Sequence, residues 1–390
     1  MKSSAFPFHA PHPRLFVLRG RLAMRLALTA IAGLLLIPVL AALVFGVGLA
    51  GALCVWKGLG GQWPLLVSVC VGALLAAGGG YVAVRLLSVL LVPLPGPEGV
   101  RMAPEDASDF YRLLEGMAWV LEADRIDHVW VTPYMNAAVL QRPRWGYFGR
   151  IETHLLVGLP LAHSVTCPQL VAVLAHEFAH LAVQRKGFGK YGALLRAWWL
   201  RVLDRISDVF PFLGAQADRW LSRFYGNMVR LARIEEFEAD ALATRLVDDD
   251  VLGETLIEVS LREQFLLQDY WPRVLAQSQV RSKPLVRPYR DLGLGMSAGF
   301  LRTAVTAADV LAGGAEPPQS LHPTTRERLS ALRALPRTPE ALPSAATHYF
   351  APLLLTLAWV FDRAWWRDVR PNWQVIYQDA RRAHGHGHRR

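Results

Sequence analysis

The chain has 390 residues, of which 53% are hydrophobic and only 19% are charged. That length allows one large domain or two ordinary ones, and so apolar a composition is more typical of a membrane protein than of a soluble one. The formal net charge of +10 would suit a nucleic-acid-binding protein, but the sequence contains no zinc-finger pattern, RNA-binding signature or basic zipper region. We therefore expect no nucleic-acid partner and assign the basic residues to an anionic membrane surface.

Two apolar runs near the N-terminus predict transmembrane helices. Runs 26–50 and 65–84 contain no charged residue, and each meets the roughly 20 residues that a helix needs to cross a bilayer. The first run is longer than the roughly 7–15 apolar residues of a signal-peptide core, so we interpret it as an uncleaved anchor. Five Lys/Arg residues precede it and only Lys57 lies between the runs, so the positive-inside rule places both ends of the chain in the cytoplasm.

Cysteine usage agrees with a reducing compartment. Of the three cysteines, Cys54 and Cys70 fall in or beside the apolar runs and Cys167 stands alone. Neither a disulfide framework nor a CxxC motif is therefore present. We expect an integral protein of a bacterial cytoplasmic (inner) membrane, with the bulk of the chain facing the cytoplasm.

The remainder of the chain is predicted to be α+β and mainly helical. A Pro/Gly-rich segment at 92–100 predicts a domain boundary. Residues 104–123 then have the apolar periodicity of a helix, and two extended stretches, 128–132 and 153–160, predict a small β-sheet. We predict three regions: 1–94 with a basic segment and the two membrane helices, 95–345 as the main domain, and 346–390 as a helical segment with a basic, His-rich tail.

Two further apolar segments allow more than one interpretation. Residues 191–210 carry an apolar stripe with two tryptophans, opposite a charged face that includes Arg196. Such a helix suits either the membrane interface or ordinary packing on the domain. Residues 349–361 are apolar but too short for a third span, so they are predicted to be a core or interfacial segment.

The stretch VLAHEFAHLA (173–182) places two histidines inside an otherwise apolar helix. The helix is well delimited, because Thr166 and Gln169 fit a capping box, Pro168 suits the first turn, and Lys186-Gly187 is typical of a helix end. The histidines therefore lie within a helix and not in a loop.

His176 and His180 are four residues apart, so they share one helix face and both imidazoles can bind one zinc ion. Glu177 is rotated about 100° from His176, which leaves its carboxylate beside the ion, where it can take a proton from water. Zinc lowers the pKa of water to about 7, so this proton transfer is feasible at neutral pH. Two hydrogen-bonded core histidines are the plainer alternative, but that interpretation buries several polar groups without compensation.

A third zinc ligand has to come from elsewhere in the chain. Segment 233–246 offers four carboxylates on a helical pattern. Glu236 and Asp240 share a face, which lets Glu236 bind the metal while Asp240 accepts a hydrogen bond from a ligand imidazole and fixes its tautomer. We interpret Glu235 and Glu238 as solvated surface carboxylates.

These segments together resemble the M48 metallopeptidases, the group that contains the HtpX-like membrane proteases and the CAAX prenyl protease. The resemblance is carried by HEFAH (176–180), by Glu236 to Asp240 within EFEADALA, and by LHPTTRERLSAL (321–332). PYMNAAVL (133–140) and the residues before the histidine pair are also similar. The resemblance covers roughly residues 100–335.

The resemblance implies a gluzincin-type zinc peptidase domain within 95–345, with one Zn²⁺ per chain. The implied zinc ligands are His176, His180 and Glu236, with Glu177 as general base. It further implies that His322 and Arg328 lie near the active site, His322 stabilising the tetrahedral oxyanion, and that Asn136 lies beside a strand that binds extended peptides. From the residues alone, the His-Pro pair is only a cap-like turn and Arg328 could be a salt-bridge partner.

One departure from the family bears on the function. HtpX-like members have further membrane segments between the two metal-binding helices, whereas residues 187–232 here are rich in charge and are predicted to lie on the membrane. Two spans also leave no room for the multi-helix chamber of the CAAX prenyl protease. We predict a membrane-anchored zinc metalloendopeptidase that cuts polypeptide substrates, and we expect its role to be in membrane protein quality control.

Two alternatives belong to other functional classes. The first is a non-catalytic, zinc-stabilised membrane scaffold, against which Glu177 argues because a structural zinc needs no base. The second is a regulatory sensor protease, against which the short loop around Lys57 argues because it leaves no room for a sensing domain.

Overall fold

The computed structural model describes residues 13–91, 96–145, 148–185, 189–300, 308, 322–334 and 344–387. Within these residues the strands are β1 (Val100–Met102), β2 (His128–Thr132), β3 (Ala137–Trp145) and β4 (Phe148–Gly158). The helices are α1 (Pro13–Leu59), α2 (Leu65–Leu90), α3 (Ser108–Val120), α4 (Leu159–Ser164), α5 (Cys167–Arg185), α6 (Gly189–Val209), α7 (Gly214–Ala243), α8 (Asp249–Phe265), α9 (Trp271–Ala276), α10 (Leu292–Phe300), α11 (Thr325–Leu332), α12 (Ala345–Tyr349) and α13 (Leu354–Gly387).

The chain divides into two compact units. The hairpin unit comprises the described residues within 12–95 and 186–234. The sheet unit comprises those within 96–185 and 235–390. The predicted fold class, α+β and mainly helical with an N-terminal helical hairpin and a small sheet, is confirmed. The predicted domain boundaries stay predictions.

The hairpin unit contains two helices that are long and apolar enough to cross a membrane, Val17–Leu59 and Leu65–Leu90. In the most apolar 18-residue stretch of each helix, only 22% and 11% of the residues, respectively, are buried. A core helix of a soluble protein would be mostly buried, whereas these helices expose large side chains such as Leu43 and Leu66. This surface matches what a helix presents to lipid.

Small residues allow α1 and α2 to approach closely. A Cβ atom added to Gly51 would lie 2.6 Å from the main-chain oxygen of Gly72, and one added to Gly72 would lie 2.5 Å from the oxygen of Gly51. The two backbones are therefore in direct contact at this point. Such contacts are common between membrane helices, which associate through packing of small residues.

The apolar stripe of 191–210 packs within the hairpin unit. Val202 and Phe210 join a buried cluster with Leu34, Ile37 and Val89. A second cluster joins Leu203 to residues of α1 and α7: Leu26, Ala30, Phe224 and Leu231. The apolar stripe therefore packs against other helices of the hairpin unit, and contact of this segment with the membrane interface stays a prediction.

Arg196 is a correction to the sequence prediction. We placed it on the charged, exposed face of the helix, but only 4% of it is exposed. The reason is that α6 packs into two clusters, so more than one side of the helix is covered. Helical periodicity marks the most apolar side and does not reveal a second neighbour.

The sheet unit is built on a four-stranded sheet with the order β1-β2-β4-β3. Strands β2 and β4 are parallel, and the two outer pairs are antiparallel. The predicted stretch 128–132 is β2, and 153–160 forms the end of β4 and the start of α4. Apolar alternation predicted neither β1, which has three residues, nor β3, which contains Gln141, Arg142 and Arg144; a strand beside Asn136 was implied only by the family resemblance.

Helix α5 lies in the core of the sheet unit. Leu170, Leu174 and Phe178 on α5 are fully buried in one cluster with Val129 and Leu155 of the sheet. Residues around 349–361 also join this cluster through Phe350, Leu357 and Phe361. The core therefore holds α5 at a fixed position from which its polar residues project.

Candidate metal centre

The predicted capping box sets the start of α5. The main-chain N–H of Thr166 donates to Oε1 of Gln169 at 2.9 Å, and the N–H of Gln169 faces Oγ1 of Thr166 at 3.5 Å. The predicted helix end at Lys186-Gly187 lies outside the described residues. With its start capped and its apolar side buried, α5 presents His176 and His180 on the remaining side.

Three ligand atoms from two helices converge. The Nε2 atoms of His176 and His180 are 3.2 Å apart. Oε2 of Glu236, on α7, lies 3.4 Å from Nε2 of His176, and its Oε1 lies 3.2 Å from Nε2 of His180. Tetrahedral zinc with bonds of ~2.0–2.1 Å separates its ligand atoms by roughly 3.3 Å. Within the described part of the chain, these residues form the one group of histidine, cysteine or carboxylate side chains that could hold a metal ion.

The protonation chemistry of this group fits a divalent metal. Glu236 is 4% exposed, and its carboxylate oxygens face ring nitrogens of His176, His180 and His322 at 3.1–3.4 Å. Burial raises the pKa of Glu236, but hydrogen bonds to His176, His180 and His322 outweigh burial and hold that pKa below its usual range. Glu236 is therefore an anion with a lone pair directed at two imidazoles, which is the donor set that zinc prefers.

Asp240 fixes the orientation of His176. Its Oδ1 lies 2.9 Å from Nδ1 of His176, so Nδ1 carries the proton and Nε2 presents its lone pair to the ligand group. Burial raises the pKa of Asp240, yet the Arg328 guanidinium and His176 lower it to about 2. The contact predicted between Asp240 and a ligand imidazole is present.

Arg328 brings a third helix to the centre. Its Nε and Nη2 donate to the two carboxylate oxygens of Asp240 at 2.8 and 2.6 Å. Nη2 also lies 3.3 Å from Nδ1 of His176, but both groups carry protons when Nδ1 donates to Asp240, so this approach is not a hydrogen bond. The salt-bridge interpretation of Arg328 therefore describes its contacts, and a role toward substrate stays a prediction.

Close packing positions the helix that carries Arg328. Helix α11 begins with a capping box between Thr324 and Glu327. Against α8 it packs so tightly that a Cβ atom on Gly253 would lie 2.6 Å from Cβ of Ala334 and 3.0 Å from Cδ2 of Leu329. Only a residue without a side chain leaves room for this approach.

His322, which precedes α11, and Glu177, on α5, both lie near the ligand group. Nδ1 of His322 is 3.1 Å from Oε1 of Glu236, while 64% of its side chain is exposed. The hydrogen bond to Glu236 raises the pKa of His322. Glu177 is half-buried, and its carboxylate lies within electrostatic range of the Arg328 guanidinium. Their catalytic roles stay predictions.

Asn136 lies outside this cluster of contacts. It is exposed just before β3, and its main-chain oxygen accepts from the N–H of Gly158 at 2.7 Å. In the described residues its side chain makes no hydrogen bond to His176, His180 or Glu236. Its predicted role beside a peptide-binding strand stays a prediction.

Glu238 is a second correction. We interpreted it as a solvated surface carboxylate, but it is 5% exposed, while Glu235 is half-buried. Helix α7 is covered on the side of Ala239 and Ala243 as well, since both are fully buried. The sequence did not reveal this burial, because four carboxylates within six positions are typical of a solvated helix face.

A second histidine pair lies on the sheet and differs in its hydrogen bonding. His128 and His154 face each other across β2 and β4. Nδ1 of His154 accepts from Nε1 of Trp130 at 3.1 Å, and Nδ1 of His128 accepts from Arg101 at 2.9 Å. With Nδ1 accepting in both rings, each ring carries a proton on Nε2, toward Glu152, and lacks the lone pair that a metal needs there.

Comparison with known proteins agrees with the geometry. The sequence model of Peptidase family M48 matches residues 154–336. The match covers a little under half of the chain and identifies residues 154–336 as an M48 metallopeptidase domain. No curated protein and no solved structure matches the chain at a significant level.

The M48 match includes the whole ligand group. His176, His180 and Glu236 fall within it, as do Asp240 and Arg328, whereas Asn136 falls outside it. Peptidases of family M48 are zinc-dependent. The chain is accordingly a metallopeptidase whose candidate metal centre joins α5, α7 and α11.

Proposed function

We propose that this M48 peptidase is a membrane-anchored zinc endopeptidase that hydrolyses peptide bonds in polypeptide substrates. The observation that carries the proposal is the convergence of the imidazole nitrogens of His176 and His180 with the carboxylate oxygens of Glu236, at 3.2–3.4 Å from one another. A second carboxylate, that of Glu177, lies on α5 with the two histidines. Three protein ligands are typical of catalytic zinc, whereas structural zinc normally has four. One Zn²⁺ per chain is expected.

The chemistry divides between the metal and the protein. When bound, zinc supplies Lewis acidity, which polarises a peptide carbonyl and makes water acidic near neutral pH. Glu177 takes the proton from the attacking water and passes it to the leaving amine. Asp240 keeps His176 in the Nδ1–H tautomer, and the proposed role of His322, whose ring is exposed beside Glu236, is to stabilise negative charge on the substrate oxygen.

Substrate binding is proposed to use the edge of the sheet. Strand β3 is the last strand in the described order β1-β2-β4-β3, so one of its edges is available to pair with an extended peptide. Asn136 lies directly before the first residue of this strand. Main-chain pairing of this kind accepts many sequences, which suits a protease that cuts misfolded or membrane-associated polypeptides.

The location proposed is the cytoplasmic membrane of a bacterium, with the peptidase domain in the cytoplasm. Two apolar helices with largely exposed surfaces support the anchoring. Five basic residues before the apolar run 26–50, together with the single Lys57 between that run and the run 65–84, support the orientation. Extraction with alkaline carbonate tests the anchoring: the chain should stay with the membrane pellet, and release into the supernatant would contradict this part of the proposal.

The test of the catalytic assignment is Glu177→Gln in the full chain. The variant should keep about one zinc per chain and lose hydrolysis of an unfolded casein-like substrate by several orders of magnitude, because binding and proton transfer are separate roles. Glu115→Gln, the same change on the exposed surface of α3, is the matched control and should keep full activity. Hydrolysis retained by Glu177→Gln would reject the mechanism.

A further inference from the structure

Residues 280–291, between the turn after α9 and the start of α10, form an exposed segment with an unusual composition. It contains four cations, Arg281, Lys283, Arg287 and Arg290, and one anion, Asp291. Val280 and Leu285 are 74% and 71% exposed, although both are large apolar residues. The segment therefore presents two apolar side chains among basic ones.

Hydrogen bonds to neighbouring side chains fix the backbone of this segment. Nε1 of Trp373, a residue with 1% exposure, donates to the main-chain oxygen of Arg281 at 2.9 Å. The main-chain N–H of Leu285 donates to Oε1 of Gln277, and that of Tyr289 donates to Asp362 at 2.8 Å. The segment needs no ordering on binding, which lowers the entropy cost of any contact it makes.

The four cations of the segment outnumber the two nearby carboxylates, Asp291 and Asp362, the second of which lies within electrostatic range of Arg287. Asp291 receives hydrogen bonds from Arg290 and from the main chain of Arg287, and Asp362 is used by main-chain N–H groups. The nearby Asp269 pairs with Arg273. The side chains of Arg281, Lys283 and Arg287 form no ion pair with any residue in the described ranges.

We propose that residues 280–291 dock the peptidase domain onto an anionic lipid surface, with Val280 and Leu285 entering the headgroup region and Arg281, Lys283 and Arg287 facing lipid phosphates. Two exposed apolar side chains that alternate with cations along the segment match an interfacial lipid contact. They match a protein partner poorly, because stable protein interfaces bury about 800 Å² on each side around an apolar centre. The inference rests on the membrane anchoring proposed above.

The experiment uses the full chain in lipid nanodiscs. The three native cysteines are changed to serine, and Leu285→Cys carries a nitroxide label whose collisions with oxygen and with a water-soluble nickel chelate report its depth. In phosphatidylcholine discs that contain phosphatidylglycerol, collisions with nickel should fall several-fold relative to discs of phosphatidylcholine alone. The same label at Trp119→Cys, an 83% exposed position on α3, should stay accessible to nickel in both.

Charge variants test the electrostatic part. Changing Arg281, Lys283 and Arg287 together to glutamine should restore nickel access to Leu285. Changing the exposed Arg112, Arg150 and Arg367 to glutamine removes the same charge elsewhere and should leave the shielding intact. High salt should act like the first triple variant.

Two results would overturn the inference: nickel access to the label at position 285 that is the same with and without phosphatidylglycerol, or shielding that scales with protein concentration and so reports a second copy. Zinc content and casein hydrolysis of the labelled chain are measured in the same discs. The docking contact and the catalytic assignment can therefore fail separately, since Glu177→Gln should keep the shielding. Carbonate extraction reports the anchoring independently of both.

Discussion

Oδ1 of Asp240 lies 2.9 Å from Nδ1 of His176, on a carboxylate that also receives two hydrogen bonds from Arg328. Asp240 is thus the common partner of a metal-facing imidazole and a buried guanidinium. The side chains of Asp240, His176 and Arg328 are 2%, 11% and 12% exposed, so these interactions are poorly screened by solvent. The predictions below follow from this arrangement and from the packing that supports it.

Asp240→Asn should weaken zinc binding. An asparagine at this position can present its amide N–H to Nδ1 of His176, which favours the wrong tautomer and leaves Nε2 protonated. We expect zinc affinity to fall about 10–100-fold, as is usual for a lost partner of a ligand histidine. Competition with a chelator of known affinity measures the change, and the control Asp379→Asn, on the exposed surface of α13, should leave affinity unchanged.

Arg328→Met should destabilise the fold more than it should alter zinc binding. Removing one member of a buried ion pair leaves Asp240 without its main counter-charge, which costs about 3–5 kcal/mol in the free energy of unfolding. Chemical denaturation of zinc-loaded protein in detergent measures the loss. Combining Arg328→Met with Asp240→Asn should recover part of it, and losses that simply add would show that the two residues are not coupled.

Gly253→Ala and Gly116→Ala should have opposite effects on stability. At Gly253 the added methyl would lie 2.6 Å from Cβ of Ala334, so α11 would have to move, with Arg328 on it. We expect a loss of about 1–3 kcal/mol, as for an overpacked core, and reduced hydrolysis. At Gly116, on α3, the methyl meets open space, and the better helix propensity of alanine should stabilise by up to about 1 kcal/mol. Equal melting temperatures for the two variants would contradict the tight contact between α8 and α11.

Metal-free protein should lose stability as the pH rises from 6.5 to about 9. Burial and Arg328 lower the pKa of His176, but Asp240 and Glu236 outweigh them and raise it from 6.5 to about 9. A raised histidine pKa stabilises the fold fully below the unfolded value of 6.5, and that contribution is lost as the pH passes the folded value. Asp240, whose pKa is lowered from 3.8 to about 2, stabilises above 3.8 and loses its effect only in acid, so it does not contribute to this change.

Melting temperatures of chelator-treated protein across this range measure the effect. Zinc-loaded protein should show a much flatter profile, because a metal on Nε2 replaces the proton. His176→Gln without metal should show a much smaller fall between pH 6.5 and 9, with the remainder coming from His322, whose pKa is also raised. A fall of the same size in that variant would assign the pH dependence to other groups.

The sequence by itself determined the local features of this protein. The capping box at Thr166, the four-residue spacing of His176 and His180, the spacing of Glu236 and Asp240, and the apolar hairpin were all readable, because each depends on residues within one helix or run. The strand at 128–132 was readable for the same reason. Strand β3 was not, since its polar residues are stabilised by pairing with β4 and not by an apolar alternation of their own.

Only the tertiary structure decided which distant groups meet. Arg328 and Asp240 are 88 residues apart, and no periodicity links them, yet α11 brings them together through its close packing at Gly253. Arg196 and Glu238 look solvated in sequence and are buried, because neighbouring helices cover more of α6 and α7 than their most apolar sides. Helix periodicity is a property of one element, whereas burial and charge pairing depend on every element packed against it.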